Sequence, residues 1–201
     1  MATVRAVAVN AVMAGCPPPV FSVVVAAVRA LLRPEVNLRG VQATTHPVAP
    51  VVIVHGEAVE ALGFNAGHGT LGPGCVANAT VGRAIRLVLL HIGGGYPGDG
   101  DASTQGGPAK YAYCFAENTA QSPWPSYHRS RGVDAVSAVT VHCGEDDWPH
   151  WEYPKPPLPL PPGPPPASAG TWVRNTSAVA AAAATAARRS RRVSMFPPCR
   201  H

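Results

Sequence analysis

An α/β fold, a layered sandwich on a mixed and partly parallel sheet, is what this 201-residue sequence predicts, followed by a disordered Pro/Ala/Arg-rich C-terminal tail. Three observations predict it. Short runs of Val, Ile and Ala alternate with longer apolar stretches bounded by helix signals. Two glycine-rich loops punctuate that alternation. At about Trp148 the composition shifts to Pro, Ala and Arg. The shift divides the chain into an α/β domain over 1–147, either whole or truncated, and a low-complexity basic tail over 148–201.

The elements follow in order. Residues 4–12 read as a strand, with Ala6, Val7, Ala8 and Val9 as its buried part. Pro17, Pro18 and Pro19 suit a helix start, since the first turn leaves its N–H groups unpaired. The helix then runs over 18–32, and Pro34 stops it. Residues 38–44 and 51–55 read as two further strands, and 57–62 as a short helix. Gly63, Gly67, Gly69, Gly72 and Gly74 make the first loop. Asn78 has the chemistry of a helix cap, with the helix over 79–92. A second glycine-rich loop covers 93–108. Strands over 111–116 and 135–142 complete the domain. Beyond it, 154–166 is proline-rich and favours an extended polyproline conformation. Residues 177–187 are nearly all alanine and suit a helix.

Charge is unevenly placed. Up to position 148 there are nine Lys/Arg and ten Asp/Glu; after it there are seven and one. The pI of about 9.2 therefore belongs to the tail. Arg188, Arg189, Arg191 and Arg192 suit a nucleic-acid arm, but few aromatic residues interleave with them, so a nucleic-acid partner is not expected. No uninterrupted run of about 18 apolar residues occurs, and no membrane span is expected. The five cysteines, Cys16, Cys75, Cys114, Cys143 and Cys199, include no C-x-x-C pair. Their odd number and wide spacing predict free thiols in a cytoplasmic protein. Met13-Ala14-Gly15-Cys16 also reads as a lipobox, so a lipid anchor at Cys16 stands as the alternative. The apolar stretch before it is short and contains Asn10.

The chemistry is expected at three places. Cys16, between a predicted strand and a predicted helix, would sit at a helix N-terminus, which lowers a thiol pKa and exposes a thiolate. His46, in Thr44-Thr45-His46-Pro47, is the candidate proton-transfer partner, and together they would make a nucleophile–base couple. The glycine-rich loop is the third place. Gly67, Gly69 and Gly72 match G-x-G-x-x-G on paper, but a short helix precedes them, Pro73 delays the next one, and no acid follows twenty residues on. What remains is an anion-binding geometry formed by Asn65, Gly67, Gly69, Gly72, Gly74, Asn78, Thr80 and Arg83, with Thr44 and Thr45 at a neighbouring loop end. Glu117, at the end of the strand over 111–116, is a further catalytic candidate. Cys114 on the small-residue face of that strand reads as packing. His55, His68 and His91 lack metal-ligand spacing, and no metal is expected; the cofactor is left unknown.

Four stretches together, "AVNAVMAGC", "GVQATTHPVAP", "LGPGCVANATVGRAIRLVL" and "KYAYCFAEN…SPW", resemble a bacterial protein family that accompanies UGSC-type proteins, whose motif can contain selenocysteine. The resemblance covers about residues 5–145. It implies thiol or selenol chemistry and a UGSC-type (seleno)protein partner. It also implies a folded continuation where this chain has its Pro/Ala/Arg tail, which suggests a frameshift near codon 145. The expectation is a thiol-dependent enzyme or enzyme subunit, an oxidoreductase or lyase, with a small anionic ligand. The alternatives are a non-catalytic binding subunit and an inactive frameshifted remnant.

Overall fold

The computed structural model describes residues 2–145 and 178–181. In chain order these form helices α1 (Val4–Met13), α2 (Phe21–Leu31) and α3 (Leu38–Ala43), strand β1 (Ala49–Gly56), the one-turn helix α4 (Ala58–Ala61) and helix α5 (Val76–His91). The short strands β2 (Tyr96–Pro97) and β3 (Gly100–Asp101) follow, then β4 (Cys114–Ala116), the one-turn helix α6 (Tyr127–Ser130), and strands β5 (Ser137–Gly144) and β6 (Ala178–Ala181).

The main sheet has the order β4-β1-β5-β6. It is mixed: β1 runs parallel to β4 and antiparallel to β5, and β5 runs antiparallel to β6. This is the α/β architecture the sequence predicts. The register explains its two faces, because side chains alternate along a strand. Val52, Val54, Cys114, Ala116, Val139, Val141 and Cys143 join the apolar core with Val24, Ala27 and Leu31 of α2 and Val81, Ile85 and Val88 of α5. Ile53, His55, Phe115, Thr140 and His142 occupy the alternate positions, with Ile53 opposite both Thr140 and Phe115. Helices cover the first face. The second carries the polar groups.

Four expectations need correction. Residues 4–12 are helical, not extended. Thr3 Oγ1 accepts the Ala6 N–H at 3.2 Å as the cap, and the buried positions Val7, Asn10 and Ala11 fall at helical spacing. Residues 38–43 are likewise helix α3, entered from Asn37 in the left-handed conformation at φ 47. The cap of α5 is Cys75, and Asn78 lies inside its first turn. Within the predicted alanine helix over 177–187, Ala178–Ala181 pair with β5 as a strand. The rest of the tail, its proline run and its arginines lie outside the described residues. Among the described residues no helix is long and apolar enough to cross a membrane.

Asp101 ties the second glycine loop to the domain. Its carboxylate is 3% exposed. It accepts from Arg86 Nη2 at 2.9 Å and from Lys110 Nζ at 3.0 Å. The same Arg86 Nη2 donates to the Gly95 carbonyl at 3.3 Å.

Candidate functional site

On the polar face of the sheet, β1, β5 and the segment after β4 converge on a histidine. His55 is 1% exposed. Its Nδ1 lies 2.6 Å from Glu117 Oε2, and its Nε2 lies 2.8 Å from Thr140 Oγ1. Burial pushes the imidazole below its ordinary pKa, against the pull of Glu117 toward the charged form. The neutral ring carries one N–H. An ionised carboxylate only accepts, so the proton belongs on Nδ1, and the Thr140 hydroxyl donates to Nε2. The other Glu117 oxygen, Oε1, accepts the Tyr127 backbone N–H at 2.7 Å.

Helix α6 closes over this pair. The Tyr127 ring stacks on His55 at 6.0 Å between centroids, and the His128 ring tilts against it at 5.5 Å. His128 is 1% exposed. Its Nε2–H donates to the Ala135 carbonyl at 3.1 Å, and its buried Nδ1 has no hydrogen-bond partner.

Beside the pair is a cavity of about 520 Å³. Ile53, Ala66, Phe115 and Tyr127 make its walls largely apolar; Thr70, Asn118, Thr140 and His142 add polar groups, and Glu117 and His55 line it as well. The Glu117 side chain is 19% exposed, so this carboxylate can be reached from the cavity. That combination, an apolar chamber with a few convergent polar groups, is the usual form of a small-molecule site.

Of the three expected catalytic residues, Glu117 stands in this site. Cys16 and His46 belong to other surroundings. Cys16 follows the C-terminus of α1, not a strand. Gly15 at φ +80 reverses the chain, the Gly15 N–H reaches the Val12 carbonyl, and the Cys16 N–H reaches that of Ala11. This is the Schellman closure of a helix, and it puts Cys16 at the negative end of the dipole. Its thiol donates to the Thr80 carbonyl at 3.2 Å, and burial pushes its pKa up. A helical turn does open after Cys16, at Pro18, as expected from the sequence, but burial works against a thiolate there. A modest alkylation rate is the expected result. At pH 6.5, iodoacetamide should label Cys16 more slowly than it labels glutathione, read by mass spectrometry of the Cys16 peptide. Faster labelling than glutathione would contradict this assignment.

His46 is exposed and holds Glu145 Oε1 at 2.6 Å, while Thr44 Oγ1 accepts the His46 N–H. The Thr45 carbonyl accepts the Thr104 N–H. The predicted anion loop is bound to itself. Asn78, 2% exposed, accepts the Asn65 N–H on Oδ1 and donates Nδ2 to the Asn65 and Thr70 carbonyls. Asn65 Oδ1 accepts the Gly67 N–H, and Thr80 Oγ1 donates to the Val76 carbonyl. Gly69 closes a turn to Gly72, and Gly74 leads into the Cys75 cap. Arg83 is half-buried on α5. These bonds hold the loop in shape, and Thr70 and Ala66 of the loop form one wall of the cavity. The loop thus serves the site as scaffold.

Thr140, His142, Tyr127 and His128 carry no motif that marks them in the sequence, and His55 lacks ligand spacing. The available signal was alternation. His55 follows the core valines Val52 and Val54 in the alternate register of β1, and Thr140 and His142 share the corresponding face of β5. No family model, curated protein or solved structure matches the chain.

Proposed function

We propose that the chain is an enzyme that moves a proton on a small, largely apolar molecule held in the cavity beside Glu117. The single observation that carries the reading is the 2.6 Å pair of Glu117 with buried His55 at the wall of that cavity. Glu117 Oε2 is the acid–base group. His55 Nδ1–H holds it in position, and the Tyr127 N–H fixes the second oxygen. The Thr140 hydroxyl orients the imidazole from behind. Three groups in series, each within hydrogen-bond reach of the next, keep the reacting oxygen within the narrow geometry that proton transfer needs. Asn118 and His142 line the same chamber and can donate to an oxygen of the substrate. Apolar walls exclude water from the developing charge. Abstraction of a proton next to a carbonyl is the reaction class that this combination suits.

The test is deuterium incorporation from heavy water into a panel of small carbonyl compounds, namely 2-butanone, acetophenone and ethyl phenylacetate, followed by proton NMR. At least one should exchange its α-protons faster with protein than in buffer. Glu117→Gln should then lower the enzymatic rate by roughly 10²–10⁴-fold, the ordinary contribution of a general base. Exchange at the buffer rate throughout, or an undiminished rate with Glu117→Gln, overturns the reading.

A further inference from the structure

We infer that His55, Glu117 and His128 form a site for one divalent transition-metal ion of the zinc type. One ligand atom from each of the three lies within 4.8 Å of the other two. The second observation is His128 itself. With Nε2–H committed to the Ala135 carbonyl, Nδ1 is the ring nitrogen left for a ligand, and it is buried with no hydrogen-bond partner. A buried polar nitrogen left in that state is unfavourable unless something binds it.

The outer contacts fit as well. Histidine ligands of metals ordinarily give their second nitrogen to a carbonyl or another acceptor. Here His128 gives its own to Ala135, His55 has Thr140 at its Nε2, and Glu117 Oε1 is fixed by Tyr127. Two imidazoles and one carboxylate suit zinc and its neighbours, whereas calcium and magnesium take oxygen ligands. His55 and Glu117 also line the cavity, which leaves an open side for water or substrate.

Binding needs a small local change. Zinc bonds of about 2.0 Å set neighbouring ligand atoms about 3.3 Å apart in a tetrahedron, so the pair now at 2.6 Å must open by about 0.7 Å and any wider separation, up to 4.8 Å, must close. The His55 proton moves from Nδ1 to Nε2, and the Thr140 hydroxyl turns from donor to acceptor. No net proton is released by that exchange. The ion thus takes the place of the proton shared by His55 and Glu117, and the two states exclude one another. This picture of exclusion rests on the proton-transfer reading; the affinity for metal does not.

The test uses the purified full chain, stripped by a chelator and titrated with Zn²⁺ against a chromogenic competitor, and with Co²⁺ for its visible ligand-field absorption. One equivalent of each should bind. His128→Ala should weaken Zn²⁺ at least about 100-fold, while His46→Ala, an exposed histidine, changes nothing. If His128→Ala does not fold, Glu117→Gln is judged by the same criterion. Fewer than one equivalent bound at micromolar Zn²⁺, or wild-type affinity in a folded variant of the triad, overturns the site. Metal binding without exchange of any carbonyl compound overturns only the proton-transfer reading; exchange without His128-dependent metal binding does the reverse.

Discussion

Asp101→Asn should cost about 3–5 kcal/mol of stability, measured by urea unfolding at pH 7, since it breaks a buried ionic cluster from its negative side. Arg86 and Lys110 are 11% and 10% exposed, and both point at this carboxylate. The amide keeps the volume but leaves two cations poorly paired in a region that water scarcely reaches. Burial alone would raise the Asp101 pKa; Lys110, the Ser103 N–H and Arg86 outweigh it and hold the carboxyl below its ordinary value. The sign of the pH dependence follows. A depressed carboxyl contributes its full stabilisation above the unfolded pKa of about 3.9 and loses it as pH falls through the lower folded value. Wild type should therefore lose stability on acidification through this window, and Asp101→Asn should lose correspondingly less. A loss under about 1 kcal/mol at pH 7 would show that the cluster is dispensable.

Gly82→Ala should destabilise by about 3 kcal/mol, at the upper end for overpacking, because the obstacle is main chain. Gly82 lies where α5 crosses the entry to β4. A Cβ there would run into the Tyr113 nitrogen and lie 3.0 Å from the Ala112 carbonyl carbon. A side chain in the way would rotate aside; a peptide group must move with its strand. Tyr113 also hands its carbonyl to the Val52 N–H at 3.0 Å, so the shift would reach β1. Four residues beyond Tyr113 is Glu117. The substitution should accordingly disturb the His55–Glu117 pair as well as the fold, visible as a shift of the His55 ring signals in NMR. A variant with wild-type melting temperature and unchanged His55 signals would contradict the close approach.

These effects bear on how much was legible in advance. Strands β1 and β5 were, since each is a compact β-branched run with turn signals at both ends. Helix α2 was legible from its prolines and its apolar length. Helix α1 was not, because VRAVAVNAVM satisfies a period of 2 and a period of 3.6 equally well. The deciding features were small: Thr3 as the cap, and Gly15 as the left-handed stop. That error hid the closure of α1 at Gly15 and Cys16, and with it the seat of the Cys16 thiol against the Thr80 carbonyl. The site itself was hidden for a different reason. His55, Glu117, His128 and Thr140 come from four segments, and His55 and Glu117 are 62 residues apart. Such a grouping has no characteristic spacing. Glu117 is legible because a strand end is a plausible place for chemistry; its partner His55 emerges only once β4 is paired with β1, and Thr140 only once β5 is paired with β1.

Strand β6 has a consequence for handling this chain. It supplies the outer partner of β5 across Ala138, Val139, Thr140 and Val141. A version shortened before Ala178 would uncover a four-residue border of amides and carbonyls from Ala138 to Val141, with neither lysine nor proline to repel a visitor. Molecules so trimmed would be prone to stitch together border to border, and fibrous precipitate would be their natural fate.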